Sequence, residues 1–186
     1  MNSPDLKNTV KAQPKKTAKG LVAYCFASLG RPYWYGTFGQ VASKWLLENR
    51  RKTYPRYYTA TDFESQIGQI VHDCVGMIKG YFWKNGPNAT RYVYQRGLPD
   101  VSADGLYSIC TRKSSKMSTM PDEAGIAVFM QGHVGVYVGD GWVIEARGHA
   151  YGVVKTRLSE RPWKRWAYIK GLDYSNKSDD VATEKQ

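Results

Sequence analysis

Cys74 is the residue whose type and position are best suited to nucleophilic chemistry. It opens an apolar run with helical spacing that continues to Trp83, so the pattern predicts that Cys74 lies at or near a helix N-terminus. Unpaired N–H groups and the positive end of the helix dipole favour a thiolate at such a position. The ordinary alternative is a small buried residue of an amphipathic helix. We interpret the other two cysteines, Cys25 and Cys110, in that way.

His133 is the candidate base for this thiol. It begins a strand-like run in which Gly135 leaves room beside the ring. If residues 139–141 form a three-residue hairpin loop, Gly135 pairs with Glu145, which then lies diagonal to His133 on the same face. A carboxylate there accepts the second ring N–H and fixes the tautomer. A two-residue loop would instead place Glu145 on the opposite face, and His149 is the competing partner for the ring.

Attack on a carbonyl also requires donors for the developing oxyanion. The backbone N–H of Cys74 is available, and position alone makes Tyr33 or His72 the second candidate. The three histidines and three cysteines show no metal-ligand spacing beyond the pair His72 and Cys74. We therefore predict no metal site and no cofactor.

Two kinds of segment must position these residues. Helical spacing comes first along the chain, and short runs rich in β-branched and aromatic residues follow, separated by glycine-containing turns. The predicted helices cover residues 19–29, 41–49, 62–70, 72–83 and 101–110, and the predicted strands cover residues 126–130, 133–138, 142–146, 151–155 and 166–172. This order predicts an α+β domain with N-terminal helices packed on a central antiparallel β-sheet.

Length and composition are typical of one folded domain. The 186 residues are 42% apolar and 23% charged, and no apolar run reaches the length of about 18 residues that a membrane helix needs. We expect a flexible basic arm at residues 1–17, a catalytic domain at residues 18–173 and a polar tail at residues 174–186. The arm lacks the apolar segment of a secretory signal, so the delivery route stays open.

The net charge of +11 predicts attraction to polyanions, including anionic cell-wall polymers. The sequence contains no helix-turn-helix, zinc-finger or RNP pattern, so we predict no specific nucleic-acid partner and no membrane partner. We expect a monomer.

Four segments, in the same order along the chain, resemble motifs of the NlpC/P60 family of papain-like cysteine peptidases, which cut peptidoglycan stem peptides. They are residues 29–36 (LGRPYWYG), residues 73–76 (DCVG), residues 132–139 (GHVGVYVG) and residues 143–146 (VIEA) followed by residues 152–154 (GVV). The resemblance implies the papain-like NlpC/P60 fold, with Cys74 as nucleophile, His133 as base and acid, and Glu145 as the residue that orients the ring. We also expect substrate contacts from Tyr33, Trp34, Asp73, Arg147 and His149.

The resemblance implies hydrolysis of an amide bond on the cell wall, between γ-D-glutamate and a diamino acid. An N-acetylmuramoyl-L-alanine amidase or an acyltransferase would use the same residues, and a non-catalytic wall-binding module is the alternative outside enzymes. Val75 replaces a serine that helps hold the substrate amine in some members, and Glu145 stands where His, Asn or Gln is more usual. Residues 37–72 exceed the family's usual connection, which predicts an added lobe over the cleft, basic and aromatic at residues 50–58.

Overall fold

The computed structural model describes residues 15–175 of the chain. The α-helices and strands in that range are α1 (Ala18–Phe26), β1 (Phe38–Val41), α2 (Lys44–Thr53), β2 (Ile70–His72), α3 (Cys74–Trp83), α4 (Ala103–Ile109), β3 (Lys113–Ser114), β4 (Ala127–Met130), β5 (His133–Gly139), β6 (Trp142–Ala146), β7 (Val153–Arg157) and β8 (Arg165–Ala167). Single turns of 3-10 helix lie at Pro55–Tyr57, Phe63–Gln66, Met117–Thr119 and Leu158–Glu160.

The central sheet is antiparallel, with its six strands in the order β3-β8-β4-β5-β6-β7. Side chains alternate between its faces, as the two-residue period of a strand requires. Ala127 and Phe129 lie in the core cluster shared with α1 and α3, whereas Ile126 and Val128 lie in a second cluster on the other face. Because α1 and α3 contact β5 and α4 contacts β4, the predicted α+β fold with helices on a central sheet is confirmed.

The largest departure from the predicted elements lies in residues 37–72, which we call the insertion lobe. The predicted helix at residues 41–49 begins only at Lys44, where the Ser43 side chain accepts a hydrogen bond from the Leu46 N–H. The predicted helix at residues 62–70 is one 3-10 turn followed by β2, which pairs antiparallel with β1. Pairing between segments so distant in sequence leaves no local periodic signal. The other predicted elements overlap the observed ones.

The insertion lobe has its own small apolar core, separate from the two cores of the central sheet. Its buried members are Trp34, Ala42, Leu46, Leu47, Tyr58, Phe63 and Val71. The lobe therefore has apolar packing of its own that fixes the position of α2.

The ends of the domain lie slightly outside the predicted boundaries. Ala18 N–H donates to the Asp173 carbonyl, and Asp173 N–H donates to the carbonyl of Lys16, so the two ends are joined through the backbone. Tyr174, predicted to start the tail, packs against the sheet, and its hydroxyl donates to the Gly125 carbonyl. Most of the predicted arm, residues 1–14, and most of the predicted tail, residues 176–186, lie outside the described residues. Across residues 15–175, no helix has both the length and the apolar character needed to cross a membrane.

Candidate active site

Cys74 is the first residue of α3, as the spacing predicts. Asp73 caps this helix: its side chain accepts hydrogen bonds from the N–H groups of Gly76 and Gly36. Gly76 is required here by close backbone approach, because a Cβ atom at this position would lie 1.8 Å from the Thr37 carbonyl oxygen. The helix N-terminus is therefore held firmly against the insertion lobe.

The Cys74 thiol contacts backbone groups on both sides of His133. Its Sγ lies 4.0 Å from the Gly132 carbonyl oxygen and also receives a hydrogen bond from the Val134 N–H. The β4–β5 turn therefore places the backbone at the start of β5 next to the Cys74 thiol.

Burial and the neighbouring Asp73 carboxyl raise the pKa of Cys74 to about 12, although hydrogen bonds from the N–H groups of Val134, Val75 and Cys74 lower it in part. The residue is only 7% exposed. The sequence predicts that the helix N-terminus favours a thiolate, but here desolvation outweighs that effect. The raised pKa favours the neutral form of the Cys74 thiol.

His133 is oriented by Glu145. The ring Nε2 lies 2.6 Å from Oε2 of Glu145, so the carboxylate accepts the Nε2–H and Nδ1 is left without a proton. The ring also stacks on Trp163, with ring centroids 5.7 Å apart and planes 14° from parallel. The imidazole is thus fixed both in its plane and in its tautomer.

Glu145 is fully buried, yet it accepts hydrogen bonds from three side chains. Besides His133, the Thr156 hydroxyl donates to Oε1 over 2.9 Å, and Arg161 donates to both oxygens over 3.0 and 3.2 Å. Burial raises the pKa of Glu145. The hydrogen bonds from His133, Thr156 and Arg161 lower it by more than burial raises it, so the net pKa lies below its ordinary value. Glu145 therefore remains a carboxylate at neutral pH.

The pairing of Gly135 with Glu145 follows the predicted register, but by a different route. The hairpin loop has two residues, Asp140 and Gly141, both with positive φ, and Gly139 pairs with Trp142. Such a loop alone would turn Glu145 to the wrong face. A bulge at Val138 adds one residue to β5 and restores the register.

Beyond this bulge, Val136 pairs with Ile144, and continuing the ladder places Gly135 opposite Glu145. A Cβ on Gly135 would lie 3.3 Å from the Glu145 Cβ and 3.1 Å from the Trp163 ring. The space predicted beside this glycine is therefore occupied by Val143, whose Cγ1 would lie nearest at 2.6 Å, and by Trp163.

Arg161, Thr156 and Trp163 were not singled out by the sequence. No motif or fixed spacing connects them to His133, since they reach it from β7 and the segment after it. The available signal was weak: Thr156 lies on the strand paired with β6, and a basic and an aromatic residue follow closely.

A cleft of about 1050 Å³ contains the Cys74 thiol and lies between the insertion lobe and residues 90–103. Of the predicted substrate contacts, Tyr33 and Asp73 line this cleft. Trp34 does not, because it is fully buried in the lobe core and its indole N–H donates to Gln66. A direct substrate contact by Trp34 is therefore incompatible with its position.

Arg147 and His149 lie on the turn after β6 and are not among the residues that line the cleft. Arg147 lies over the Tyr151 ring, with its guanidinium carbon 4.1 Å from the centroid. His149 packs on Phe63 of the insertion lobe and its Nε2 lies 2.6 Å from Asp62. The competing histidine thus contacts the lobe, and Glu145 is the partner of His133.

The two candidates for the second oxyanion donor differ in position. The His72 ring is buried against Tyr24, whose hydroxyl lies 3.1 Å from its Nε2, so it does not face the cleft. Tyr33 lines the cleft with Cys74, and burial followed by the neighbouring Cys74 and Asp73 raises its pKa. Its hydroxyl therefore keeps its proton as a hydrogen-bond donor. Among residues 15–175, no group of three or more His, Cys, Asp or Glu side chains is placed to hold a metal ion.

A model of the NlpC/P60 family matches residues 30–171, which is more than half of the chain. The P60 domain of an antigen from M. avium subspecies paratuberculosis has a similar structure, with a TM-score of 0.50 and 16% identity over 84% of this chain and 96% of that one. The peptidoglycan hydrolase RipB from Mycobacterium tuberculosis gives a TM-score of 0.47 and 19% identity over 87% of this chain and 70% of that one. No curated protein matches.

Proposed function

This chain belongs to the NlpC/P60 family, and from that premise we propose that it is a cysteine peptidase that hydrolyses an amide bond in peptidoglycan stem peptides. Family membership supports the cell-wall substrate. The observation that carries the chemistry is the His133–Glu145 hydrogen bond of 2.6 Å, formed where the backbone on either side of His133 contacts the Cys74 thiol.

Cys74 attacks the carbonyl carbon while His133 takes the thiol proton on Nδ1. Because the resting thiol is neutral, proton transfer accompanies attack instead of preceding it. The Cys74 N–H and the Tyr33 hydroxyl donate hydrogen bonds to the oxyanion. The intermediate then collapses: the C–N bond breaks, His133 gives its proton to the leaving amine, and a thioester on Cys74 remains.

Water completes the cycle. His133 removes a proton from a water molecule, which attacks the thioester, and the carboxylate product leaves as the thiol regains its proton. In both halves Glu145 stabilises the imidazolium that forms. Arg161 acts through Glu145 and is therefore a positioning residue: two hydrogen bonds keep that buried carboxylate ionised and correctly oriented.

The proposed scissile bond joins γ-D-glutamate to the diamino acid. It rests on the likeness of residues 29–36, 73–76 and 132–139 to the family's motifs. Val75 lies beside the nucleophile and lines the cleft, so the substrate amine meets an apolar side chain there.

Digestion of purified muropeptides followed by mass spectrometry tests the proposal. Wild-type protein should release the peptide that begins with the diamino acid, and Cys74→Ala should release nothing. Cys110→Ala is the matched control, because it removes another buried thiol away from the cleft and should keep activity. Equal release by wild type and Cys74→Ala would contradict the proposal. Release at the muramic acid–L-alanine bond would identify an amidase and exclude the endopeptidase.

A further inference from the structure

The cleft extends past Cys74 along the side of α3 that carries Val75 and Lys79. Cys74, Val75 and Lys79 line it, and five residues of α-helix place Lys79 about 7.5 Å along the axis from Cys74. A volume of about 1050 Å³ is at the upper end of pockets that enclose a small ligand. The far half of the cleft is therefore available to a second part of the substrate.

Aromatic side chains form both walls of this far half. On one wall, Tyr35, which precedes the insertion lobe, stacks on Tyr57 of the lobe with ring centroids 3.7 Å apart and planes 3° from parallel. Trp45, also on the lobe, is 72% exposed. On the opposite wall, Tyr92 and Tyr94 are about half exposed. All five line the cleft, and exposed aromatic surface concentrated in a groove indicates a binding site.

Each tyrosine of the opposite wall packs against another aromatic ring, of which Trp83 is buried and Phe38 is partly buried and also lines the cleft. Tyr92 packs against Phe38 at 4.8 Å between centroids, and Tyr94 packs against Trp83 at 5.0 Å. Ordering them for a ligand therefore costs little side-chain entropy.

Charge in the cleft is balanced, although the whole chain carries +11. The ionisable acids and bases among the lining residues are Arg50, Lys79, Asp73 and Asp100, two of each sign. Lys79 and Asp100 pair at 2.5 Å, and the Tyr94 hydroxyl donates to the other Asp100 oxygen at 2.6 Å. Excess positive charge thus lies elsewhere on the protein, which disfavours an anionic polymer as occupant.

We propose that the aromatic-walled half of the cleft binds a sugar ring of the glycan strand that carries the stem peptide. This inference rests on the proposed function and names the second part of its substrate. The apolar C–H face of a pyranose stacks on an aromatic ring, and its hydroxyls hydrogen-bond to polar groups such as Asp100 and Lys79. A neutral, polyhydroxylated ligand fits both the aromatic walls and the balanced charge.

The test compares kcat/KM for a disaccharide-linked stem peptide with kcat/KM for the same peptide without sugar. Wild type should prefer the glycosylated substrate by about tenfold or more, which corresponds to one well-placed stacking contact. Trp45→Ala combined with Tyr92→Ala should abolish this preference and leave cleavage of the free peptide unchanged. Tyr151→Ala is the matched control, since Tyr151 is 56% exposed but does not line the cleft.

Equal kcat/KM for both substrates in wild type would overturn the sugar subsite and leave the peptidase proposal standing. So would an equal loss on both substrates in the double variant. If wild type cleaves neither substrate, the proposed function fails. Titration of Cys74→Ala with a peptide-free glycan fragment then decides the inference by itself: binding that Trp45→Ala weakens supports it, and no binding overturns it.

Discussion

The two sides of the candidate catalytic centre are built in opposite ways. On the α3 side, burial and Asp73 hold the Cys74 thiol protonated. On the sheet side, Thr156 and Arg161 keep Glu145 ionised beneath the His133 ring. The thiol side therefore holds its proton in the resting state, and the proposed acceptor of that proton, His133, lies beside a carboxylate that is already ionised. These protonation states support the proposed general-base attack and disfavour a preformed ion pair.

The largest effect is expected from His133→Ala. Activity on muropeptides should fall by about a thousandfold or more, because the general base and acid is lost. Alkylation of Cys74 by iodoacetamide at neutral pH should change little, since the wild-type thiol is already neutral and slow to react. Cys110→Ala serves as the labelling control. A large drop in alkylation in His133→Ala would show that the resting pair is ionic.

Glu145→Ala should lower kcat by about a hundredfold, because the ring loses the acceptor that fixes its tautomer. Glu145→Gln should lose less, about tenfold, since an amide oxygen still accepts the Nε2–H. Rate measurements on both variants, with KM determined separately, distinguish orientation from charge. Equal and large losses in the two variants would make the carboxylate charge the essential property.

Arg161→Met should lower kcat/KM by about tenfold and move the acid limb of its pH profile to higher pH. The sign follows from Glu145: its pKa is held below the ordinary value, and removing two hydrogen bonds from Arg161 raises it, so protonation begins at higher pH. Arg161→Lys keeps the charge and should restore part of the profile. Melting temperatures of both variants check that they are folded. If the acid limb of Arg161→Met is not shifted, Arg161 does not control the ionisation of Glu145 and contributes only to the structure.

The smallest effect is expected from Asp73→Asn. Removing the neighbouring negative charge lowers the pKa of Cys74. The thiolate fraction and the alkylation rate at mildly alkaline pH should therefore rise about threefold. Asn retains a carbonyl oxygen that can accept from the Gly76 N–H of the helix cap, while the second acceptor, used by the Gly36 N–H, is lost. Asp100→Asn, a cleft carboxylate absent from the causes of the Cys74 shift, should leave the rate unchanged. An unchanged rate in Asp73→Asn would mean that burial alone sets the pKa.

The sequence predicts most reliably the positions that depend on local hydrophobic periodicity. The position of Cys74 follows from helical spacing after Asp73, and the strands carrying His133 and Glu145 follow from their β-branched runs. The predicted pairing of Gly135 with Glu145 assumes a three-residue loop between β5 and β6. The structure has a two-residue loop, and the extra residue in β5 at the Val138 bulge gives the same pairing. A bulge leaves no sure trace in sequence, because it depends on pairing across two strands.

Contacts between distant segments could not be predicted. Trp34, in an aromatic run that suggested a substrate contact, is instead the centre of the lobe core. Arg161 and Trp163 reach the His133 network only after the chain has passed through β6 and β7. Neither position carries a spacing that points to its partner.

Local sequence patterns are enough to place Cys74 at a helix N-terminus and His133 and Glu145 on strands, because these positions depend on hydrogen bonds and apolar periodicity over a few residues. The protonation of Cys74 and the ionisation of Glu145 follow instead from tertiary contacts. Both depend on which groups surround a buried atom, and burial at 7% exposure outweighs the local helix dipole that the sequence could reveal.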